Sequence, residues 1–250
     1  MIASPGTPVP KTLSGRNCLL GTLSNHTFTC IASFSDTEAV VGSDTGALCL
    51  LSEVEGNQKL SLVKYMEFGI TSLAVDTVRE SMWLGGHEGQ IERFTFEALR
   101  SSVASSPVSV DRTSVFRKTR RESSITSMGF LSSHLVVIDA KRSIRLYSVD
   151  NLYDDGQQNN AGTLLPAHKD AVLGIRPLRS PNDLNAEFFT WSSGGAVNFW
   201  DSQGRYRSSQ SVDLDKLSSG EDDTSNELKV VCATDNMSFF VTGDRLGVLR

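Results

Sequence analysis

The chain is built from short apolar stretches separated by turn residues, and one block recurs five times. Each copy has an apolar stretch, a short gap, a second apolar stretch, a tight turn rich in Gly or Asp, and then an alternating stretch. The first copy reads TFTCIASF, EAVVGSDTG and ALCLLSEV from Thr27 to Val54. The second reads ITSLAV, SMWLGGHEG and QIERFTF from Ile70 to Phe96. ITSMGF, HLVVIDAKR and SIRLYSV make the third, from Ile125 to Val149, and AVLGIRPL, EFFTWSSGG and AVNFWDS the fourth, from Ala171 to Ser202. The fifth, LKVVCAT, SFFVTGDRLG and VLR, runs from Leu228 to Arg250. The stretches favour Val, Ile, Phe, Thr and Cys and sustain no helical period, so they predict strands throughout.

The turn positions Gly46, Gly89, Gly195 and Gly247, with Ser143 in the equivalent place, punctuate the repeat at intervals of 43, 54, 52 and 52 residues. A short reversal between strands needs a residue that tolerates positive φ, so these positions predict hairpins joining the second and third strands of four-stranded units.

With this pattern the chain resembles the WD40-repeat β-propellers over roughly residues 25–250, and the fourth copy carries most of the likeness. Ala167-His168 stands where that family has Gly-His, Trp200-Asp201 supplies the dipeptide of its name, and 31 residues lie between the two pairs. Elsewhere Phe94, Tyr147 and Leu51 take the place of the Trp. The family's hydrogen-bonded tetrad also needs an Asp in the turn, where the alignment puts Gly194. The resemblance implies an all-β, WD40-type propeller with about five four-stranded blades, near 25–69, 70–124, 125–170, 171–227 and a partial 228–250. Residues 1–16 are expected to form a flexible N-terminal segment. It further implies structural roles for His168, Trp200 and Asp201, and a non-catalytic scaffold subunit that binds protein partners in a larger assembly. Strand addition at an open blade edge is the expected mode.

In such propellers the loops entering each blade share one rim, the top, with the loops between second and third strands. The basic run Arg117, Lys118, Thr119, Arg120, Arg121 is then expected to cross the top, after an outer strand at Thr113–Lys118. The acidic loop Asp213–Glu227 follows an outer strand at Arg205–Val212 to the same rim, while Leu99–Asp111 and Asn151–Gly162 lie at the bottom. Trp191, near one end of a second strand, with Lys169 and Asp170 as neighbours, is either core packing or a partner-binding anchor, since aromatics dominate interface hot spots.

Charge and composition narrow the chemistry. With 24 basic and 29 acidic residues the net charge is −5, so attraction to nucleic acid has to come from the 117–121 cluster alone. That cluster suits phosphate, whether of a modified peptide or of nucleic acid, but is small beside specific nucleic-acid interfaces. Ser123, after two arginines, and Ser219, before Glu221, Asp222 and Asp223, match basophilic and acidophilic kinase targets. Cys18, Cys30, Cys49 and Cys232 form no CxxC pair and are expected as free thiols. His26 and Cys30 sit about 13 Å apart along a strand, which rules out a zinc pair. Gly85-Gly86-His87-Glu88-Gly89 precedes a strand rather than a helix, so it reads as a hairpin and not a phosphate loop. Nothing supplies a nucleophile with its base, and no cofactor or metal is expected. Trp200-Asp201-Ser202-Gln203 departs from the Trp-Asp-x-Arg of ubiquitin-ligase substrate receptors at its last position, with Arg205 two places late. No apolar run approaches a membrane span and Met1–Pro10 lacks a secretory core, so an intracellular place, nuclear or cytoplasmic, is expected.

Length then becomes the sharpest constraint. Seven blades need about 280–315 residues at roughly 40–45 each, and 250 residues hold five copies. Either Asn17–Leu23 supplies a strand that closes a small ring, or a partner or further chain completes it.

Overall fold

The computed structural model describes residues 26–54, 56–104, 123–153, 162–166, 168–178, 182–214, 226–234 and 239–250. Five antiparallel sheets follow one another along the chain. The first holds β1 (Phe28–Ser33), β2 (Glu38–Ser43), β3 (Ala47–Val54) and β4 (Asn57–Tyr65), and the second β5 (Ile70–Asp76), β6 (Ser81–Gly86) and β7 (Ile91–Thr95). The third holds β8 (Ile125–Phe130), β9 (His134–Asp139), β10 (Ile144–Ser148) and β11 (Thr163–Leu165), and the fourth β12 (Val172–Pro177), β13 (Phe188–Ser192), β14 (Ala196–Trp200) and β15 (Tyr206–Ser211). In the fifth, β16 (Leu228–Ala233) pairs with β17 (Phe240–Asp244), and Leu249 bridges Gly243 as the beginning of a further strand. The inner strands stack in order, β1 on β5, β5 on β8, β8 on β12 and β12 on β16. This is a β-propeller arrangement in which, among the described residues, β1 and β16 do not close on one another as the other inner strands do.

Each pair of neighbouring sheets shares one apolar layer. Ile70, Leu73, Leu84 and Phe94 meet Val40, Leu48 and Leu50 between the first two sheets. Trp83 and Ile91 meet Ile125, Met128 and Val137 in the next layer, and Val136, Ile138 and Leu146 meet Val172, Phe188 and Trp200 in the third. Phe189, Val197 and Phe199 meet Leu228 and Val231 in the last. A fifth cluster, Val41, Ala47 and Cys49 with half-buried Leu51, Leu60 and Leu62, lies on the first sheet's far face. Residue alternation along a strand sends every second side chain to each layer, which is why the strands read as nearly continuous apolar runs rather than half-polar ones.

Two local devices recur. Each inner strand carries a bulge near its start, between Phe28 and Cys30, Ile70 and Ser72, Ile125 and Ser127, Val172 and Gly174, and Leu228 and Val230. In the first three the bulged residue is a threonine whose hydroxyl donates to a second-strand carbonyl: Thr29 to Gly42 at 3.2 Å, Thr71 to Gly85 at 3.0 Å and Thr126 to Ile138 at 3.3 Å. A bulge strengthens the local twist and re-aims the strand. The second device is the hairpin between second and third strands, where the N–H of the fourth turn residue returns to the carbonyl of the first. That fourth residue is Gly46, Gly89, Gly195 or Gly247, with φ of +87, +84, +90 and +80°. In the third sheet it is Arg142, at φ +68°, and not Ser143 as the spacing had suggested. Asp139 explains the difference: its Oδ1 accepts the N–H groups of both Lys141 (2.9 Å) and Ser143 (3.0 Å), a local closure that offsets the strain of a non-glycine residue in the left-handed region.

One expectation is overturned: the segment after β7 is helical, α1 (Phe96–Ala104). Thr95 Oγ1 accepts the Ala98 N–H at 3.1 Å, and Phe96 and Leu99, one turn apart, drop into the first apolar layer. Arg100 pairs with Glu38 across the layer's edge, and Glu38's carboxyl is held low chiefly by that bond. Nine residues contain too few apolar positions for a helical period to show in the sequence. A second short helix, α2 (Val149–Leu152), follows β10.

A Cβ at Gly195 would lie 2.7 Å from the Val212 carbonyl oxygen in addition to the positive φ. Gly195→Ala is expected to cost about 1–3 kcal/mol, read as a shift in the urea midpoint at unchanged slope. A loss below about 0.5 kcal/mol, ordinary for a surface change, would contradict the turn.

Candidate functional site

The loop leading into β12 holds His168, Lys169 and Asp170 and lies beside the β13–β14 turn. His168 is buried, and its Nε2 lies 2.8 Å from Thr190 Oγ1. The Trp200 indole can only donate, and it gives its proton to the same oxygen at 2.9 Å, leaving the Thr190 hydroxyl to donate to His168. Thr190 thus links the two family-type residues. It escaped the sequence reading because a threonine inside Phe188-Phe189-Thr190-Trp191 looks like ordinary strand composition. Burial pushes His168 below its usual pKa, opposed by the Asp170 charge.

His168 Nδ1 and Ser192 Oγ are buried without a partner, on the side where the family's Asp would stand. Gly194 occupies that place, and a Cβ there would fall 2.0 Å from Asp170 Oδ2. The Asp170 carboxylate therefore covers the turn, which is why the turn carries no side chain. Asp170 and Lys169 are both exposed, and Arg142 of the preceding sheet donates to the Lys169 carbonyl. Trp191 is half-buried in the layer between the fourth and fifth sheets. Its ring lies flush against Gly174, where a Cβ would come within 2.3 Å of Cζ2, and its buried Nε1 has no partner.

Asp201 works as a turn cap: its Oδ1 accepts the N–H groups of Gln203 and Arg205, both at 2.9 Å. Oδ2 pairs with Arg205 at 2.8 Å and Arg207 at 2.9 Å. Burial raises the Asp201 carboxyl pKa, but the bonds from Arg205 and Gln203 outweigh it and hold the group low. Gln203, at the receptor motif's Arg position, thus contributes a backbone N–H, and the exposed Arg205 is engaged with Asp201. Arg117, Lys118, Arg120, Arg121 and Ser219 lie outside the described residues. Ser123 is half-buried just ahead of β8.

Gly85–Gly89 forms the second sheet's hairpin, with His87 tied to Gly69 through N–H to carbonyl (3.1 Å) and Gly69 N–H to Nδ1 (3.0 Å). His26 is engaged by Thr45 and by Tyr65 Oη at 3.2 Å. Among the described residues no three His, Cys, Asp or Glu side chains gather as metal ligands, and no helix is long and apolar enough to cross a membrane. Cys30, Cys49 and Cys232 are free thiols. Burial pushes Cys49 up to about 11 and raises Cys30 as well, so neither is a ready nucleophile. An open cavity of about 1170 Å³ lies where β5, β8 and β12 end. Its described lining includes Val75, Phe130 and Asn182, with Arg176 and Glu187 as the titratable groups, a set without a base-activated nucleophile.

Among the described residues, large apolar side chains are exposed on both the first and the fifth sheets. On the first sheet Phe28 is 43% and Ile31 62% exposed, and on the fifth Val230 is 51% and Val241 49% exposed, with Phe239 and Leu249 beside them also exposed.

Solved structures share this architecture. The WD40 β-propeller domain of Doa1 matches with a TM-score of 0.61 and 13% identity, over 90% of this chain and 64% of that one. The computationally designed Ika8 protein matches with a TM-score of 0.56 and 16% identity, over 89% of this chain and 57% of that one. The chain therefore spans less than two thirds of either. No family model and no curated protein matches the sequence. The fold is that of a WD40-type β-propeller.

Thr190→Val is expected to leave two buried groups unpaired and to cost about 1–3 kcal/mol by chemical denaturation. Burial also lowers the His134 pKa, against the charges of Glu187 and Asp150. Because both imidazoles titrate lower folded than unfolded, the unfolded chain takes up protons first as pH falls below about 6.5. The stability they contribute is full above that pH and is lost below it. Urea midpoints should therefore drop from pH about 7.5 to about 5.5, and His134→Asn with His168→Asn should flatten that slope. An equally steep slope in the double variant would refute the assignment.

Proposed function

We propose that this protein is a non-catalytic interaction scaffold, a propeller subunit that joins protein partners in a larger assembly. The observation that carries this reading is the pair of exposed apolar end faces. Fully burying one such side chain is worth about 1.5–3 kcal/mol. Exposed apolar side chains grouped on a sheet face are the kind of surface that protein interaction sites present. The charged rims would govern register and on-rate. The exposed Lys169 and Asp170 offer a polar rim contact of the usual kind.

Affinity purification of the full chain from its native source tests the proposal. The expected result is at least one protein at stoichiometric yield that resists moderate salt, since apolar contacts lack the steep salt dependence of phosphate binding. Purification as a lone monomer would overturn it, and partners lost steeply with salt would favour a phosphate-reading role through the basic segment.

A further inference from the structure

We infer that Ser123 is a phosphorylation site whose phosphate docks on the Lys141-Arg142 turn of the same sheet. The inference goes beyond the scaffold reading and does not depend on it.

The residues ahead of each inner strand keep a fixed relation to the hairpin between the second and third strands. In every sheet the residue just before the inner strand accepts, through its carbonyl, the N–H of the second hairpin residue. Thr27 accepts from Asp44 (2.9 Å), Gly69 from His87 (3.1 Å), Ser124 from Ala140 (2.8 Å), Ala171 from Ser193 (2.9 Å) and Glu227 from Arg245 (2.8 Å). One place earlier stand His26, Phe68, Ser123, Asp170 and Asn226. In the four sheets other than the third, that side chain lies on the hairpin. His26 Nδ1 bonds Thr45 Oγ1, and the Asn226 amide donates to Asp244 Oδ2 at 2.9 Å. A Cβ at Gly86 would lie 2.5 Å from the Phe68 ring, and one at Gly194 2.0 Å from Asp170 Oδ2. Ser123 therefore holds the place from which a longer side chain reaches the β9–β10 turn, and Asp170 shows an anion held there in the next sheet.

That turn, Asp139-Ala140-Lys141-Arg142, differs from its four counterparts. It alone carries two adjacent cations, and both are exposed. Arg142 also takes the left-handed position that glycine fills elsewhere, at φ +68°, where backbone sterics disfavour an arginine. Asp139, the one acid of the turn, has Oδ1 occupied by the N–H groups of Lys141 and Ser143. Two cations against one carboxylate leave the turn positive, and a phosphoserine brings a charge of about −1.5 to −2 with three acceptor oxygens. Arg142 donates to the Lys169 carbonyl. A phosphate on Ser123 offers it a charged acceptor, and charge-assisted bonds are the stronger kind. Modification therefore releases the third sheet's turn from the loop leading into β12.

The chain supplies the recognition element, Arg120-Arg121-Glu122-Ser123, with arginines three and two places before the serine. Ser123 is half-buried and lies ahead of the β8–β9 ladder, whose first pair is Ile125 with Asp139, so a kinase meets it outside the paired strand. In the transfer, Ser123 Oγ attacks the γ-phosphorus of ATP bound to an arginine-directed protein kinase. The Oγ–P bond forms and the bond from that phosphorus to the β–γ bridging oxygen breaks. ADP leaves with the bonding pair, and the hydroxyl proton passes to the kinase's catalytic carboxylate.

The test treats the purified full chain with ATP and the catalytic subunit of cyclic-AMP-dependent protein kinase, and maps the product by tandem mass spectrometry. One phosphate is expected on Ser123, absent from Ser123→Ala and slower to form when Arg120 and Arg121 are both replaced by alanine. Alkaline phosphatase is then expected to strip it about fivefold faster from Lys141→Ser with Arg142→Gly than from the otherwise unchanged chain. Glycine suits the left-handed position, so the double variant keeps its turn, and Lys141→Ser alone should give an intermediate rate. The same peptide from the chain isolated from its native source should carry the phosphate. Phosphate on Ser124 instead, no transfer to Ser123, an unmodified Ser123 in the native source, or equal removal rates with and without the two cations would overturn the inference.

Discussion

The structure depends on sheets that are apolar on both faces and can be dry only by stacking. A single twisted sheet of two to four strands is marginal in water, and here each one sends alternate side chains into two separate layers. Neighbouring sheets therefore supply each other's core, as in other repeat architectures where no unit buries its apolar face alone. The contact that sets their spacing is concrete in two places: Ile70 over Gly42 and Ile125 over Gly85, a branched side chain lying where the opposing strand has none. The first and fifth sheets carry apolar residues on their outer faces as well. Val41, Ala47 and Cys49 at one end and Val230 and Val241 at the other belong to layers of the same kind as those buried inside.

The polar chemistry serves that stacking. Bulges held by Thr29, Thr71 and Thr126 twist the first three inner strands, and hairpins with one left-handed residue return the chain with little waste. Where glycine is lacking, as at Arg142, a carboxylate closes the turn instead. Asp201 and Asp244 also accept backbone N–H groups two and four residues on, at turns that do carry their glycine, Gly204 and Gly247. In the fourth sheet the line from Trp200 through Thr190 to His168 ties the outer layer of the blade to its lead-in loop. Thr190 is satisfied on both sides, while His168 Nδ1 is buried without a partner.

Much of this was legible in the residue order. Alternating and continuous apolar runs located the strands, and the spaced glycines located four of five hairpins. The pair Trp200-Asp201 with His168 identified the blade type, and β15 (Tyr206–Ser211) lies inside the outer strand expected at Arg205–Val212. The misses have physical causes. Ser143 was taken for the turn residue because the closure by Asp139 is a side-chain effect that spacing does not register. Helix α1 was missed because its capping by Thr95 and its two buried positions are short-range and few. Thr190 was invisible because its partners lie 10 and 22 residues away in sequence and meet only when β13, β14 and the loop before β12 come together.

The sequence by itself determined the local alphabet: strand-forming runs, turn positions and a block that recurs five times. Those follow from backbone sterics and periodicity, which act over a few residues. Tertiary structure decided which face of each strand meets which neighbour, because a one-residue bulge changes the facing of everything beyond it. It placed Trp191 in an inter-sheet layer and set Asp170 over Gly194. Burial is a property of the assembled stack, and no reading of single strands contains it.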